Sequence, residues 1–254
     1  MMQVTWQMYV IVLPLIFFAS FVDSVAGGGG LISLPAYYLA GLNPYLAAGT
    51  NKLSACVGTV ASCGKYIASG KASLKVGILA AVMALPGSWL GTLLQLRIPE
   101  QTVRIMMLCL IPVVAAVVLT NKNKEQRHAA VPEKYFMAAA AAIGLVIGFY
   151  DGLVGPGTGT FLIILFTMLL GMDGVLASGT AKMVNLASNV AALVTYLTAG
   201  KVLLALGIPA AFCSVMGGLL GAKMTISKGA GFVRRMMLVV LALLLAKMLF
   251  DVVS

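Results

Sequence analysis

Charged side chains are scarce in this chain. Aspartate, glutamate, lysine and arginine together make up 9% of the residues, whereas hydrophobic residues make up 61%. Ordinary soluble domains carry roughly 25% charged and 45–50% apolar residues, so the composition excludes a water-soluble globule. Because a membrane-spanning helix takes about 20 mostly apolar residues, the chain has room for about eight to ten such helices. We therefore expect an all-α polytopic membrane protein.

Residues that hold metals or carry hydrolytic chemistry are also few. The one histidine, His128, lies in a polar stretch, and the four cysteines form no Cys-x-x-Cys pair. A zinc site needs several such ligands close together. The chain also has no His-Glu-x-x-His sequence and no Gly-x-x-x-x-Gly-Lys-Ser/Thr loop for a nucleotide. We expect no metal, no cofactor and no catalytic residue.

Basic residues outnumber acidic ones by 17 to 7, and their positions indicate membrane orientation rather than nucleic acid as a partner. Lys122, Lys124 and Arg127 lie in the polar stretch 121–133. Loops rich in lysine and arginine stay in the cytoplasm, which places this linker there. If five segments cross the inner membrane on each side of the linker, both termini lie outside the cytoplasm. The expected partners are the lipid bilayer, a small anionic substrate and, in a homodimer, a second copy.

The chain reads as a duplication. At an offset of 130, Gly49, Thr50 and Lys52 fall on Gly179, Thr180 and Lys182; upstream, at an offset of 128, Asp23 falls on Asp151. A first half, residues 1–120, and a second half, residues 134–254, therefore correspond. Each half contains five apolar segments: 6–25, 29–41, 45–69, 72–96 and 101–120, then 134–150, 156–171, 174–199, 202–225 and 230–253.

The second segment of each half is short and follows a glycine-rich stretch, where the helix is expected to break. Basic residues cluster after the third segment of the first half but after the fourth segment of the second half. Corresponding loops then lie on opposite faces of the membrane, which predicts an inverted repeat. Re-entrant second segments with four spans in each half would instead give a parallel arrangement.

Helix breaks and ionisable residues at membrane depth point to a cavity rather than to lipid. A broken helix offers free amide groups to an anion, and lysines and hydroxyls can complete such a site. We expect both lysines to face the anion. The predicted substrate-binding residues are Gly28, Gly29, Gly30, Thr50, Asn51, Lys52, Gly157, Thr158, Thr180, Lys182 and Asn185.

Other roles stay open for several of these residues. Each lysine lies near enough to a segment end to extend its ammonium to the membrane interface. Asp23 and Asp151 either cap the helix that follows or couple transport to protons. Tyr66 and Tyr196 are expected to anchor segment ends at the interface.

Several motifs resemble the TauE/SafE family of membrane transporters. They are Phe21-Val22-Asp23-Ser24 before Gly27–Gly30, Thr50-Asn51-Lys52-Leu53, and Gly148-Phe149-Tyr150-Asp151-Gly152 before Gly155-Pro156. The resemblance covers essentially the whole chain and implies movement of sulfite, organosulfonates or related sulfur-containing anions. Ala181 stands where the first half has Asn51, so the two half-sites are not equivalent.

The sequence thus favours a secondary transporter that exports a small anion by alternating access between its halves. Uptake or efflux of another small organic anion is the alternative. Two readings from other classes are an intramembrane aspartyl-type hydrolase, suggested by two embedded aspartates, and a membrane assembly protein without transport activity.

Overall fold

The computed structural model describes residues 4–103, 105–106, 130–236 and 239. Eight α-helices lie wholly within these residues, together with a 3₁₀ turn at Glu133–Tyr135. The helices are α1 (Trp6–Ala26), α2 (Gly30–Leu39), α3 (Pro44–Ala68), α4 (Leu74–Gln95), α5 (Phe136–Leu153), α6 (Thr158–Leu170), α7 (Gly174–Thr198) and α8 (Leu204–Lys228). The predicted segments 101–120 and 230–253 lie largely outside the described residues.

Four described segments are long and apolar enough to cross a membrane: Trp6–Ala26, Leu74–Gln95, Glu133–Leu153 and Leu204–Lys228. They expose many large apolar side chains, such as those of Trp89 and Phe212. Such exposure is typical of a surface that faces lipid. Helices α3 and α7 carry more buried polar residues and pack against each other inside this layer. The protein is therefore an all-α, multi-pass membrane protein, as its composition predicts.

The predicted helix breaks are present in both halves. Helix α1 ends at Gly27, which adopts a left-handed backbone with φ of 77°. Between α5 and α6, Gly155 and Gly157 have φ of 90° and 82°. Side chains rarely tolerate this conformation, so glycine sets the turn at each break.

Each short helix folds back along the helix before it. Tyr37 near the end of α2 and Ala40 directly after it pack against Met8 and Val12 at the start of α1. Likewise Phe166 and Leu170 of α6 pack in one cluster with Ala140 and Ile143 of α5. At about 1.5 Å per residue, α2 and α6 reach roughly 15 and 20 Å of a hydrocarbon core about 30 Å thick.

These two helical hairpins explain why the second segments do not need to cross. The α1–α2 hairpin begins and ends on one face of the bundle, and the α5–α6 hairpin does the same on the other face. Each hairpin therefore returns the chain to the face on which it began, unlike the alternative in which only the second segment is re-entrant. The number of crossings per half stays a prediction, because the segments 101–120 and 230–253 lie largely outside the described residues.

Glycine contacts set the direction in which the outer helices run. A Cβ on Gly217 or Gly221 of α8 would overlap the carbonyl oxygen of Phe17 or Phe21 of α1. Residue numbers rise together in this pair, so α1 and α8 are parallel. Gly87 and Gly91 of α4 make the corresponding contacts with α5, at Leu145 and Phe149.

The central helices α3 and α7 run in opposite directions. Near the start of α3, Gly49 contacts the carbonyl oxygen of Lys201, and the Thr50 hydroxyl accepts a hydrogen bond from the Leu203 amide, N···O 3.0 Å. Near the start of α7, Gly179 contacts the carbonyl of Lys71, and Thr180 accepts from the Ser73 amide at 3.0 Å. Because α4 follows α3 and α8 follows α7 through short turns, every helix runs opposite to its counterpart. These reciprocal contacts support the inverted repeat, which remains a prediction for the whole chain.

Candidate anion site between the two halves

A cavity of about 70 Å³ lies at the centre of the bundle, where the tips of the two helical hairpins meet α3 and α7. Both halves contribute to its walls. The polar side chains lining it include Asp23, Asn51, Lys52, Asp151, Thr158, Asn185 and Asn189. We refer to it below as the central cavity.

Lys52 forms the first of two ion pairs at the central cavity. Its ammonium Nζ donates to Asp151 Oδ2 at 2.7 Å and to Asn189 Oδ1 at 3.0 Å. The other oxygen of Asp151, Oδ1, accepts from the Thr158 hydroxyl at 2.9 Å. Both side chains of the pair are buried, with exposed fractions of 8% and 7%. Lys52 therefore does not extend to the membrane interface.

Lys182 forms the second ion pair, with Asp23. The Lys182 Nζ to Asp23 Oδ2 distance is 2.5 Å, and the exposed fractions are 1% for the lysine and 26% for the aspartate. The Gly29 amide approaches Asp23 Oδ1 at 3.4 Å. Asp23 lines the central cavity, whereas Lys182 is absent from the lining that the described residues form.

The two ion pairs exchange partners between the halves. Lys52 and Asp23 both belong to the first half. Lys52 pairs with Asp151, the counterpart of Asp23 in the second half, and Asp23 pairs with Lys182, the counterpart of Lys52. A buried charge without a partner is strongly destabilising. The exchange therefore ties the two halves together at the depth of the cavity.

The glycines at the hairpin tips let the two backbones touch. A Cβ on Gly27 would overlap the backbone of Gly159, and a Cβ on Gly30 would lie 3.2 Å from Pro156 Cα. The Thr160 hydroxyl donates to the Ala26 carbonyl at 2.8 Å and fixes this contact. Side chains at these positions would separate the tips of the two hairpins beside the cavity.

The structure brings eight of the predicted site and coupling residues to the central cavity. These are Asp23, Gly29, Gly30, Asn51, Lys52, Asp151, Thr158 and Asn185. The other five do not line it in the part of the chain that is described: Gly28, Thr50, Gly157, Thr180 and Lys182. Thr50 and Thr180 are instead fully buried, and their hydroxyls accept the loop amides described above.

The aspartates do more than cap a helix. Asp23 has the weak contact to the Gly29 amide that a cap requires, but its shorter contact is to Lys182. The expectation for Tyr66 and Tyr196 was wrong, because both side chains are buried. Tyr66 donates to the Ser24 carbonyl at 2.9 Å, and Tyr196 donates to the Gln95 side chain.

Sequence reasoning missed several polar residues of the cavity, among them Asn189 and Gln95. Asn189 lies four residues after Asn185 and seven after Lys182, a spacing that places all three on one side of a helix; this signal was available. Gln95 ends α4 and is buried beside Tyr196. Nothing in the local sequence distinguishes Gln95 from an interfacial residue.

Comparison with known proteins identifies the family. The sulfite exporter TauE/SafE family model matches residues 12–248. The chain belongs to that family. A probable membrane transporter protein, YfcA, of Escherichia coli strain K12 is 33% identical over 237 residues, covering 92% of this chain and 86% of that protein. A probable membrane transporter protein of Haemophilus influenzae is 32% identical over 240 residues, covering 92% of each chain.

A further relative, the probable membrane transporter protein ORF9 of Sinorhizobium sp, is 32% identical over 237 residues, which is 92% of this chain and 90% of the relative. No solved structure matches the chain. Membership makes this protein a membrane transporter of the TauE/SafE type, and the substrate is a separate question.

Proposed function

We propose that the protein exports a small anion, sulfite or an organosulfonate, through the central cavity. The observation that carries this proposal is the Lys52 ammonium, which lines the cavity among the side-chain amides of Asn51, Asn185 and Asn189. Amides and an ammonium together provide the donors that an oxyanion needs. The buried Asn185 Oδ1 has no hydrogen-bond partner among the described residues; as an acceptor it calls for a donor such as water, and the donor that Asn185 offers an anion is its Nδ2 amide group.

The size of the cavity supports a small substrate. A dry cavity of about 150 Å³ accommodates benzene, and the central cavity has about half that volume, 70 Å³. An ion with fewer than the six non-hydrogen atoms of benzene matches this space. The family name points to sulfite, which falls within that range. Another small organic anion remains the alternative substrate.

We propose alternating access as the mechanism, and the same geometry supports it. The Thr50–Leu203 and Thr180–Ser73 hydrogen bonds hold corresponding loops against opposite ends of the central helices. Loosening one of these contacts while the other stays closed would open the cavity to one face at a time, as inverted repeats allow. Substrate release to either side then needs no further domain.

The hydrolase alternative lacks structural support. Aspartyl proteases use two carboxylates about 3 Å apart that share one proton. Here each aspartate binds its own lysine. We therefore propose a non-enzymatic role.

Flux into proteoliposomes tests the proposal, with sulfite, sulfate and sulfoacetate as probes. We expect the wild-type protein to move at least one of them. The flux of that anion in Lys52→Ala should be more than tenfold lower than in wild type. Lys182→Ala is expected to act indirectly, because it leaves Asp23 unpaired beside the cavity. Lys65→Ala is the matched control, since Lys65 is an exposed lysine on the same helix.

Two results would contradict the proposal. Wild-type protein that moves none of the three anions would remove the anion-transport function. Flux in Lys52→Ala equal to that of wild type and of Lys65→Ala would remove the assigned site while leaving transport intact.

A further inference from the structure

We propose that Asp151 is a proton-binding residue and that the anion enters the central cavity together with one proton, replacing Asp151 as the partner of Lys52. This inference rests on the proposed anion transport. It names the coupling ion and the residue that carries it.

The charges at the cavity already cancel before any substrate arrives. Lys52 and Lys182 contribute two positive charges, and Asp151 and Asp23 contribute two negative ones, in pairs 2.7 and 2.5 Å long. An anion that entered alone would leave the buried site with one uncompensated negative charge. Uncompensated buried charge costs several kcal/mol, whereas protonating one carboxylate restores neutrality.

Asp151 is the carboxylate that competes with the anion. Lys52 is the one ammonium that lines the cavity among the described residues, and Asp151 Oδ2 occupies it. Asp23 also lines the cavity, but its partner Lys182 does not. An anion in the cavity therefore displaces Asp151 and leaves the Asp23 pair in place.

Among the described residues around Asp151, Lys52 is the charged neighbour. Thr158 faces it from α6, and Tyr196 of α7 and Tyr150 of its own helix lie close enough to interact with its charge. On the α4 side, the Thr92 hydroxyl donates to the neighbouring Gly152 carbonyl. When Lys52 turns to the anion, none of these neighbours supplies a compensating positive charge.

The proton step balances as follows. A proton that comes from the bulk solution together with the anion binds Asp151 Oδ2, the oxygen that Lys52 releases, and gives a neutral carboxyl group. Lys52 keeps its charge and pairs with the anion. The Thr158 hydroxyl still contacts Oδ1 of Asp151. On the far side the anion and the proton both leave, and the Lys52–Asp151 pair forms again.

A monoanion moved in this way carries no net charge across the membrane. Its movement does not respond to membrane potential, but it does respond to a pH difference. Export then follows the combined concentration gradients of the substrate and the proton, because an inside-negative potential acts only on net charge.

The test uses methanesulfonate and sulfate in proteoliposomes, because both stay ionised throughout the experiment and any coupled proton must be carried by the protein. At steady state, one proton per methanesulfonate gives about tenfold accumulation for each pH unit of difference, acid outside. A pH indicator trapped inside should record about one proton per anion. A potassium diffusion potential should not change methanesulfonate accumulation.

Asp151→Asn imitates the protonated carboxyl group. The accumulation ratio of this variant should fall from about tenfold to about onefold. The variant should exchange labelled for unlabelled methanesulfonate at a rate that does not vary with pH. Asp173→Asn is the matched control. Asp173 caps the start of α7 and is not among the residues that line the cavity. Asparagine caps a helix as well as aspartate does, so this variant should keep the tenfold ratio.

The outcomes separate the two proposals. Accumulation that follows membrane potential and ignores pH would overturn proton coupling and leave anion transport standing. Movement of sulfite but of neither permanently ionised probe would mean that the protonated substrate enters by itself, which also overturns it. Wild type that moves no anion removes the transport function on which the inference rests. The wild-type proton count decides whether a proton is coupled even if Asp151→Asn does not fold.

Discussion

Lys52 and Lys182 are the residues whose surroundings matter most. A lysine at the centre of a membrane helix costs about 2.5–3.5 kcal/mol by insertion measurements, yet Lys182 is 1% exposed. Each lysine is tolerated because a carboxylate from the other half lies within 2.7 Å. The same pairing that stabilises the fold also neutralises the central cavity.

Breaking the Lys52–Asp151 pair should be more harmful than removing it. Lys52→Met leaves the Asp151 carboxylate buried and unpaired, which should lower the free energy of unfolding by about 3–5 kcal/mol. Adding Asp151→Leu should recover much of that loss, although the double variant should not transport. Thermal unfolding in detergent, followed by circular dichroism, gives the comparison.

The control for this cycle is Lys65→Met, which removes an exposed lysine from the same helix and should leave the unfolding temperature within error of wild type. Additive losses in the Lys52→Met, Asp151→Leu double variant would show that the two residues do not interact.

At this scale the sequence predicted which residues are embedded and charged, but not how they pair. Asp23 and Asp151 stand out as acidic residues next to glycine breaks. Which lysine meets which aspartate depends on contacts between α1 and α7 and between α3 and α5, and local patterns carry no information about these. The sequence also could not distinguish the buried Tyr66 from an interfacial tyrosine, because both lie near a helix end.

Among the elements, the parallel helix pairs α1–α8 and α4–α5 depend on glycine. Their backbones approach until a Cβ on Gly91 would overlap the Phe149 carbonyl oxygen. Small residues allow this close approach in membrane helices, where packing contributes to association. The pairs Gly87–Gly91 and Gly217–Gly221 are thus packing contacts rather than site residues.

Gly91→Ala should therefore destabilise the protein by about 1–3 kcal/mol, the usual cost of overpacking. Gly64→Ala is the matched control, because Gly64 lies inside α3 and a Cβ there meets nothing within 4 Å. Thermal unfolding in detergent measures both. Equal unfolding temperatures for the two variants would show that α4 and α5 do not pack as closely as described.

The helix breaks could be predicted from the glycine runs, and the short second segments from their length. That α2 and α6 fold back on α1 and α5 could not. Length alone shows that a segment is too short to cross; the direction it takes depends on what its apolar side packs against, and for Tyr37 that is the start of α1.

For the whole molecule, orientation in the membrane is the open prediction. Ala68 and Thr198 correspond at the offset of 130, are both exposed, and end α3 and α7 at opposite faces of the bundle. With Cys56, Cys63, Cys109 and Cys213 replaced, Thr198→Cys should react with a membrane-impermeant maleimide added to whole cells. Ala68→Cys should react only after the cells are permeabilised.

Labelling of both positions from one side would contradict the inverted arrangement. Labelling of Ala68→Cys alone would keep the inversion but reverse the orientation, and so place the linker 121–133 outside the cytoplasm.

The duplication stays a prediction, made from residue types that recur at an offset of 130 and, upstream, of 128. This recurrence does not predict how the two halves contact each other. The Lys71 carbonyl of the first half contacts Gly179 of α7, and the Lys201 carbonyl of the second half contacts Gly49 of α3. Each half thus contacts the central helix of the other half.

The exchange of ion partners also bears on how the protein is made. Synthesis proceeds from the N-terminus, so Lys52 and Asp23 enter the bilayer before Asp151 and Lys182 exist. Until the second half follows, the first half holds two charges that it cannot neutralise from the partners seen in the folded protein. The C-terminal half thus completes the folding of the N-terminal half, and a chain interrupted in the linker should be a substrate for membrane proteolysis.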